Sequence, residues 1–321
     1  MSSSAASIID LRTHRRDVTS QHGENGILAA IFERIGTTSR RCVEFGAYSL
    51  TDDSNVFLLW RDAGWDALLI EGDPGRAAAI QRAYAEMKAS SQPPLGHVTV
   101  LNTFVRPTGE QSLDVLLAAM EWDKDLDLCV IDVDGMDYHI FEHLTKTRPR
   151  VVVCEFNPTI PVHLSVVGSA DGNYLGCSAR ALFELGRRKG YSLVACTKSN
   201  CIFLLDELAD GFQNCNDLDL LFDDYAVSHF MTAYDGSVFL SKPPLYRGNL
   251  FSSRAASDLY DPTGNLWSPH RHLTISYAVT RLAFSVVNAL APWLAAAALR
   301  TLRAIRRRTG RTFLAPPRES P

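Results

Sequence analysis

Residues 41–49 read RCVEFGAYS, a β-branched, apolar run that stops at Gly46. Past Asp52 and Asp53 the chain turns into SNVFLLWRDAG, a helical stretch. In an open α/β sheet, ligands bind beyond the carboxyl ends of the strands, where the strand order reverses. A glycine at such an end lets a nucleoside approach the backbone, and an acid closing the next strand can hold ribose hydroxyls. Here Glu71 closes the next strand, in DALLIEGD. Taken singly, Gly46 can be a tight turn and Glu71 a solvated strand-end acid; taken together they favour a binding edge.

The pattern continues on both sides. Strands are expected over 41–46, 66–71, 97–102, 127–132 and 150–156, with helices over 54–63, 74–88, 111–120 and 136–145 between them. Pro74 directly after Asp73 is a good helix start. LCVI and VVVC are apolar without alternation, as in parallel strands covered on both faces. Upstream, SQHGENGILAAIFERIG sets Ile27, Leu28, Ile31, Phe32 and Ile35 at helical spacing, with Gly36 as a stop. After Phe156 comes NPTIPVHLSVVGSADGNYLG, too long for an ordinary connection. A helix in CSARALFELGRRKG follows, then strands YSLVACT and CIFLLDEL separated only by residues 198–200. So short a connection makes that last pair antiparallel.

At 321 residues the chain suggests one large domain plus an extension. A net charge of −4 argues against bulk nucleic-acid binding. The seven cysteines have no CxxC spacing and read as reduced, buried thiols of a cytoplasmic protein. Residues 1–19 read as a loose arm, 20–248 as the α/β domain and 249–321 as an extension. Within the extension, residues 282–299 form an uncharged run of eighteen, and six arginines follow in 300–311. A spanning helix needs about 20 apolar residues. The run is therefore expected to lie at an anionic membrane surface, on its inner face, rather than to cross it; the rival is a helix docked on the domain.

The set SQHGENGIL, VEFGAYS, DSNVFLLWRDAGWDALLIEGDP, IDVDGMDY and VVVCEFNP, in that order, resembles FkbM-like class I S-adenosylmethionine-dependent methyltransferases. GYSLVACTKSNCIFLLDEL is similar to that family's final hairpin, and the resemblance covers residues 20–208. It implies a Rossmann-like, seven-stranded, mostly parallel sheet with an antiparallel last strand. It implies S-adenosylmethionine as cofactor and O-methylation of a sugar, glycan or natural-product hydroxyl. Glu44 and Gly46 would form the first cofactor loop, Glu71 would hold the ribose, and Asp132 would close the site. Ala47, Tyr48, Gly72, Asp73 and Asn102, at the same strand ends, complete the cofactor-binding set. Tyr48 stands where the family often has a second glycine. It can cover the cofactor or obstruct its pocket, and the alternative function is an inactive Rossmann-like scaffold at a membrane surface.

IDVDGMDY brings Asp132, Asp134 and Asp137 onto one turn, where three acids repel unless a cation, hydrogen bonds or protons compensate. Asp137 is expected to cap the helix, Asp132 to face the pocket as a catalytic residue, and Asp134 to meet substrate. Mg²⁺ on Asp132 and Asp134 is the weaker alternative; no metal ligand is assigned. Glu155 and Asn157, with Pro158 ending the strand, are candidate substrate contacts or merely a strand terminus. His139 and His163 are candidate bases, since histidine titrates near neutrality, although a histidine one turn into a helix more often has a structural role.

Overall fold

The structure, a computed structural model, describes residues 8–90, 95–170, 175–232, 234, 238–242 and 245. The extension expected over 249–321, including the apolar run 282–299 and the arginines after it, lies outside the described residues. Contacts divide the chain into two units, Met1–Val227 and Ser228–Pro321.

The first unit is an α/β domain. Its elements run α1 (Glu24–Ile35), β1 (Arg41–Phe45), α2 (Phe57–Asp62), β2 (Asp66–Glu71), α3 (Pro74–Ser90), β3 (Val98–Asn102), α4 (Leu113–Ala119), β4 (Leu128–Ile131), α5 (Asp137–His143), β5 (Val151–Glu155), α6 (Ala179–Arg188), β6 (Tyr191–Cys196), β7 (Asn200–Leu205) and α7 (Leu218–Leu221). The seven strands form one sheet in the order β3-β2-β1-β4-β5-β7-β6. β1 to β5 pair in parallel, while β7 runs antiparallel to both β5 and β6. This mostly parallel α/β sheet is compatible with a Rossmann-like fold. In the second unit, β8 (Phe230–Thr232) pairs antiparallel with β9 (Val238–Leu240).

The apolar strands are buried on both faces because alternate residues feed two cores. Val43, Phe45, Ile70, Ile131 and Cys154 pack with Leu117, Phe141 and Leu182 of α4, α5 and α6. Cys42, Leu69, Val130 and Val153 pack with Ile27, Ile31, Trp60 and Ile80 of α1, α2 and α3. Side chains alternate along a strand. Glu44, Glu71 and Glu155 therefore continue the second face, the one α1 covers, at its carboxyl edge. The strand order reverses between β1 and β4 at this edge.

The opposite edge is closed by Asp127, whose fully buried carboxylate accepts the N–H groups of Thr38, Ser39 and Arg40 and the Arg150 guanidinium at 2.7 Å. The hydrogen bonds from Arg150, Arg40 and Thr38 outweigh burial and hold this carboxyl below its ordinary range. Residues 8–19, read as part of a loose arm, carry a 3-10 turn over Leu11–His14. Ile9 exchanges backbone hydrogen bonds with Gly211 and Gln213, and Leu11 is buried.

Candidate functional site

Gly46 ends β1 with φ +75°, a left-handed conformation. A Cβ at Gly46 would stand 1.8 Å from the Asp132 carbonyl oxygen, so the β1 turn rests directly on the end of β4. Ala47 is buried behind it. Tyr48 is half exposed, and the Arg76 guanidinium lies 4.3 Å from its ring centroid.

Glu44 is buried and both its oxygens are engaged. Ser54 Oγ donates to Oε2 and the Asn55 N–H to Oε1, each at 2.7 Å. Burial pushes its carboxyl up to about 7, against the pull of these hydrogen bonds. Glu44 thus organises the loop between β1 and α2 from beneath.

Glu71 is 6 % exposed at the end of β2, and its Oε1 accepts the Asp73 N–H at 2.7 Å. Asp73 in turn caps α3, taking the Arg76 N–H at 2.8 Å. Asn102, at the neighbouring end of β3, donates from Nδ2 to the carbonyls of Glu71 (2.8 Å) and Gly72 (3.2 Å). Its side chain fixes the turn. The Phe104 ring, 60 % exposed, packs against the bare Gly72 backbone.

Beyond β4 and β5 the acids converge. Oxygens of Asp132, Asp137 and Glu155 lie within 4.8 Å of one another, and Asp132 and Glu155 share a hydrogen bond. Burial, then the neighbouring carboxylates, push Asp132 up to about 8 and Glu155 up to about 10. Burial also raises Asp137, to about 6, less far because the Gly135 and Val133 N–H groups donate to it at 2.9 and 2.8 Å. Asp137 closes the turn that places Asp134 at φ +54°. Asp134 itself is exposed and outside the triple carboxyl group.

A hard cation takes carboxylate oxygens, so Asp132, Asp137 and Glu155 are the residues that could hold one, rather than the expected pair Asp132 and Asp134. Both Asp137 oxygens already accept backbone hydrogen bonds, and Asp132 and Glu155 already share one. Protons kept by the raised Asp132 and Glu155 carboxyls offset the repulsion of this cluster, as a cation on the same three residues also would.

Of the remaining expected residues, Asn157 and His139 have local partners. Asn157 accepts from Thr159 N (3.0 Å) and Thr159 Oγ1 (2.7 Å) and donates to the Leu175 carbonyl, clasping the long loop after β5. His139 Nε2 lies 2.8 Å from the Gly168 carbonyl, to which it donates, tying α5 to the same loop. His163 is exposed on that loop. Two contributions were missed: Asn200, which register places opposite Glu155, and the exposed ring of Phe104. An asparagine opening a strand, or an aromatic just past one, was the available signal.

No family model and no curated protein matches the chain. The functional reading therefore rests on the geometry of the carboxyl edge and on the ordered motifs. Among the described residues, no helix is long and apolar enough to cross a membrane.

Proposed function

We propose that this chain is an S-adenosylmethionine-dependent methyltransferase acting on a hydroxyl oxygen of a sugar, glycan or natural product. The observation that carries the reading is the edge itself. Gly46, Glu71 and Asp132 terminate β1, β2 and β4 side by side, where the strand order reverses, the place at which open α/β sheets bind nucleosides. The antiparallel β7 and the motif order support the same reading.

When bound, S-adenosylmethionine supplies an electrophilic methyl group on a sulfonium leaving group. The protein's own work is then alignment and exclusion of water. Glu71 accepts from ribose hydroxyls, and the Gly46 turn, seated against the Asp132 carbonyl, presents its backbone at the cofactor's edge. The Asp132–Glu155 pair, sharing a hydrogen bond, takes the proton that the acceptor hydroxyl loses. It is poised for this once one of its carboxyls is ionised. The donor set suits proton transfer, and the reading requires no metal.

Calorimetric titration of the full-length protein with S-adenosylhomocysteine tests the cofactor, and release of that product from a panel of hydroxylated acceptors tests the transfer. Binding without transfer to any acceptor would favour a second reading, an inactive scaffold that retains the fold. The Tyr48–Arg76 stack favours that alternative, because it sets a bulky ring two residues past Gly46 where the family often has a second glycine. Absence of binding would sink the methyltransferase reading.

A further inference from the structure

The SQHGEN segment entering α1 has no part in the function so far, yet two of its side chains reach both halves of the candidate site. Asn25 is buried. Its Oδ1 accepts the N–H groups of Val18 (3.1 Å), Thr19 (2.8 Å) and Ser20 (2.8 Å). Its Nδ2 points at the carbonyls of Ser54 (3.5 Å) and Asn55 (3.4 Å), and Thr19 Oγ1 donates to the Ser54 carbonyl at 2.8 Å. Ser54 and Asn55 are the two residues that grip Glu44, two positions before Gly46. Asn25 is thus one hydrogen-bonded step removed from the cofactor loop.

Glu24, one residue earlier, reaches the other way. It is 1 % exposed. Its Oε1 accepts from Thr197 Oγ1 (2.6 Å) and Asn200 Nδ2 (3.1 Å), and its Oε2 accepts the His22 N–H (2.8 Å). Asn200 is the cross-strand partner of Glu155. Phe156 N donates to Ser199 O, so Glu155 and Asn200 form the non-hydrogen-bonded, closer-set kind of antiparallel pair, with side chains on one face. Because Glu24 takes the NH₂ end of the Asn200 amide, the carbonyl end is turned away from it. That oxygen is buried without a hydrogen-bond partner. The polarity of the group beside Glu155 is therefore set from α1.

The backbone leaves no slack in this arrangement. A Cβ at Gly26 would stand 2.0 Å from the His14 carbonyl oxygen, so the segment before α1 is pressed onto the helix start. Arg15 also donates to the Cys196 carbonyl at 2.6 Å.

We propose that Glu24 and Asn25 are positioning residues which hold the two halves of the site in place, Asn25 the Glu44–Gly46 cofactor loop and Glu24 the Asp132–Glu155 pair. This rests on the methyltransferase reading. The charged or titratable groups around the pair are Asp134 and Asp137 on the turn into α5, Glu44 on β1, the Cys177 thiol of the long loop, and Glu24 itself through Asn200.

The test uses the full-length protein and two readouts: S-adenosylhomocysteine affinity by calorimetry, and the pH titration of the protonated-carboxyl infrared band, assigned with Glu155→Gln. Asn25→Asp, or the milder Thr19→Val should the first not fold, is expected to weaken binding about fivefold, the loss of one hydrogen bond, and to leave the carboxyl midpoint in place. Glu24→Gln, or the milder Thr197→Val, is expected to move the midpoint by about half a pH unit and to leave affinity within about twofold. If the folded variants keep wild-type affinity and midpoint and change only the melting temperature, the two residues are merely structural and the proposal is overturned. A crossed result, with Asn25 governing the midpoint and Glu24 the affinity, also overturns it. If the wild type fails to bind S-adenosylhomocysteine, the methyltransferase reading falls, and this proposal with it.

Discussion

Gly46 and Asp132 touch backbone to backbone: an added Cβ at Gly46 would lie 1.8 Å from the Asp132 carbonyl oxygen. With φ at +75°, the position is also strained for any L side chain. Gly46→Ala is expected to cost roughly 1–3 kcal/mol from the backbone conformation alone, with the collision added. Urea denaturation checks this, and an unchanged midpoint would mean that the turn yields.

In the proposed site, Glu71 is the acid that would hold the ribose. Glu71→Ala should weaken S-adenosylhomocysteine binding by about 1.5–3 kcal/mol, the scale of a hydrogen bond to a charged group. The Asp73 N–H also loses its acceptor in this variant, so affinity should be compared with Glu71→Gln, which retains an acceptor there. Equal affinity in wild type and both variants would remove Glu71 from the site.

The acid pair makes stability depend on pH in a definite direction. Burial, then the neighbouring carboxylates, push Asp132 up to about 8 and Glu155 up to about 10, above their ordinary 3.8 and 4.5. As pH rises through that window the unfolded chain releases these protons first, so the unfolded state binds fewer and stability falls. Asp127 acts oppositely, as does Asp114 of α4, whose carboxylate is held below its ordinary range, against the effect of burial, by the N–H groups of Lys146, Thr145 and Thr147. Their contribution is present above the ordinary carboxylate range and is lost on acidification. Asp132→Asn should flatten the decline between about pH 5 and pH 9 and lower turnover. Melting curves across that range decide it; a variant that unfolds at every pH reassigns Asp132 to the turn.

Compensation by protons also predicts the response to chelation. Prolonged dialysis against EDTA should leave the melting temperature unchanged at pH 7. A drop restored by Mg²⁺ would instead assign a cation to Asp132, Asp137 and Glu155.

The arginines after the apolar run 282–299 are expected to bring the full-length protein to anionic liposomes at low salt. Each basic residue near such a surface contributes about 1 kcal/mol, screened as salt rises. Replacing Arg303, Arg306, Arg307 and Arg308 by glutamine should reduce co-sedimentation. If the wild type ignores anionic liposomes and deletion after Tyr277 causes aggregation, a docking helix replaces the membrane reading.

The strands were legible in the sequence because burial on both faces leaves few polar residues inside them: the expected 66–71 is β2 itself, and the other four parallel strands differ by one residue at one or both ends. The last expected strand, CIFLLDEL, runs three residues past the end of β7. The carboxyl edge was legible for the same reason, since polarity returns abruptly at Glu71, Asp132 and Glu155. Partners were not. Nothing local says that Asn157 turns back on Thr159, or that His139 meets the Gly168 carbonyl. Glu24 finds Thr197 and Asn200 only after the whole sheet is laid out, and a residue type announces what it can bond, never which distant group will be in reach.

The pairing of β1 with β4 has a consequence for how the chain emerges from the ribosome. Val43 lies against Cys129, whereas β1's other neighbour, β2, follows soon after it. A nascent chain that has released β1, β2 and β3 holds a three-stranded fragment with β1 as an open parallel edge, apolar on both faces. Such edges recruit other chains, and closing so distant a contact is slow. The centre of the finished sheet is thus its exposed flank during synthesis, and a pause before residue 128 would be the moment of greatest risk of aggregation.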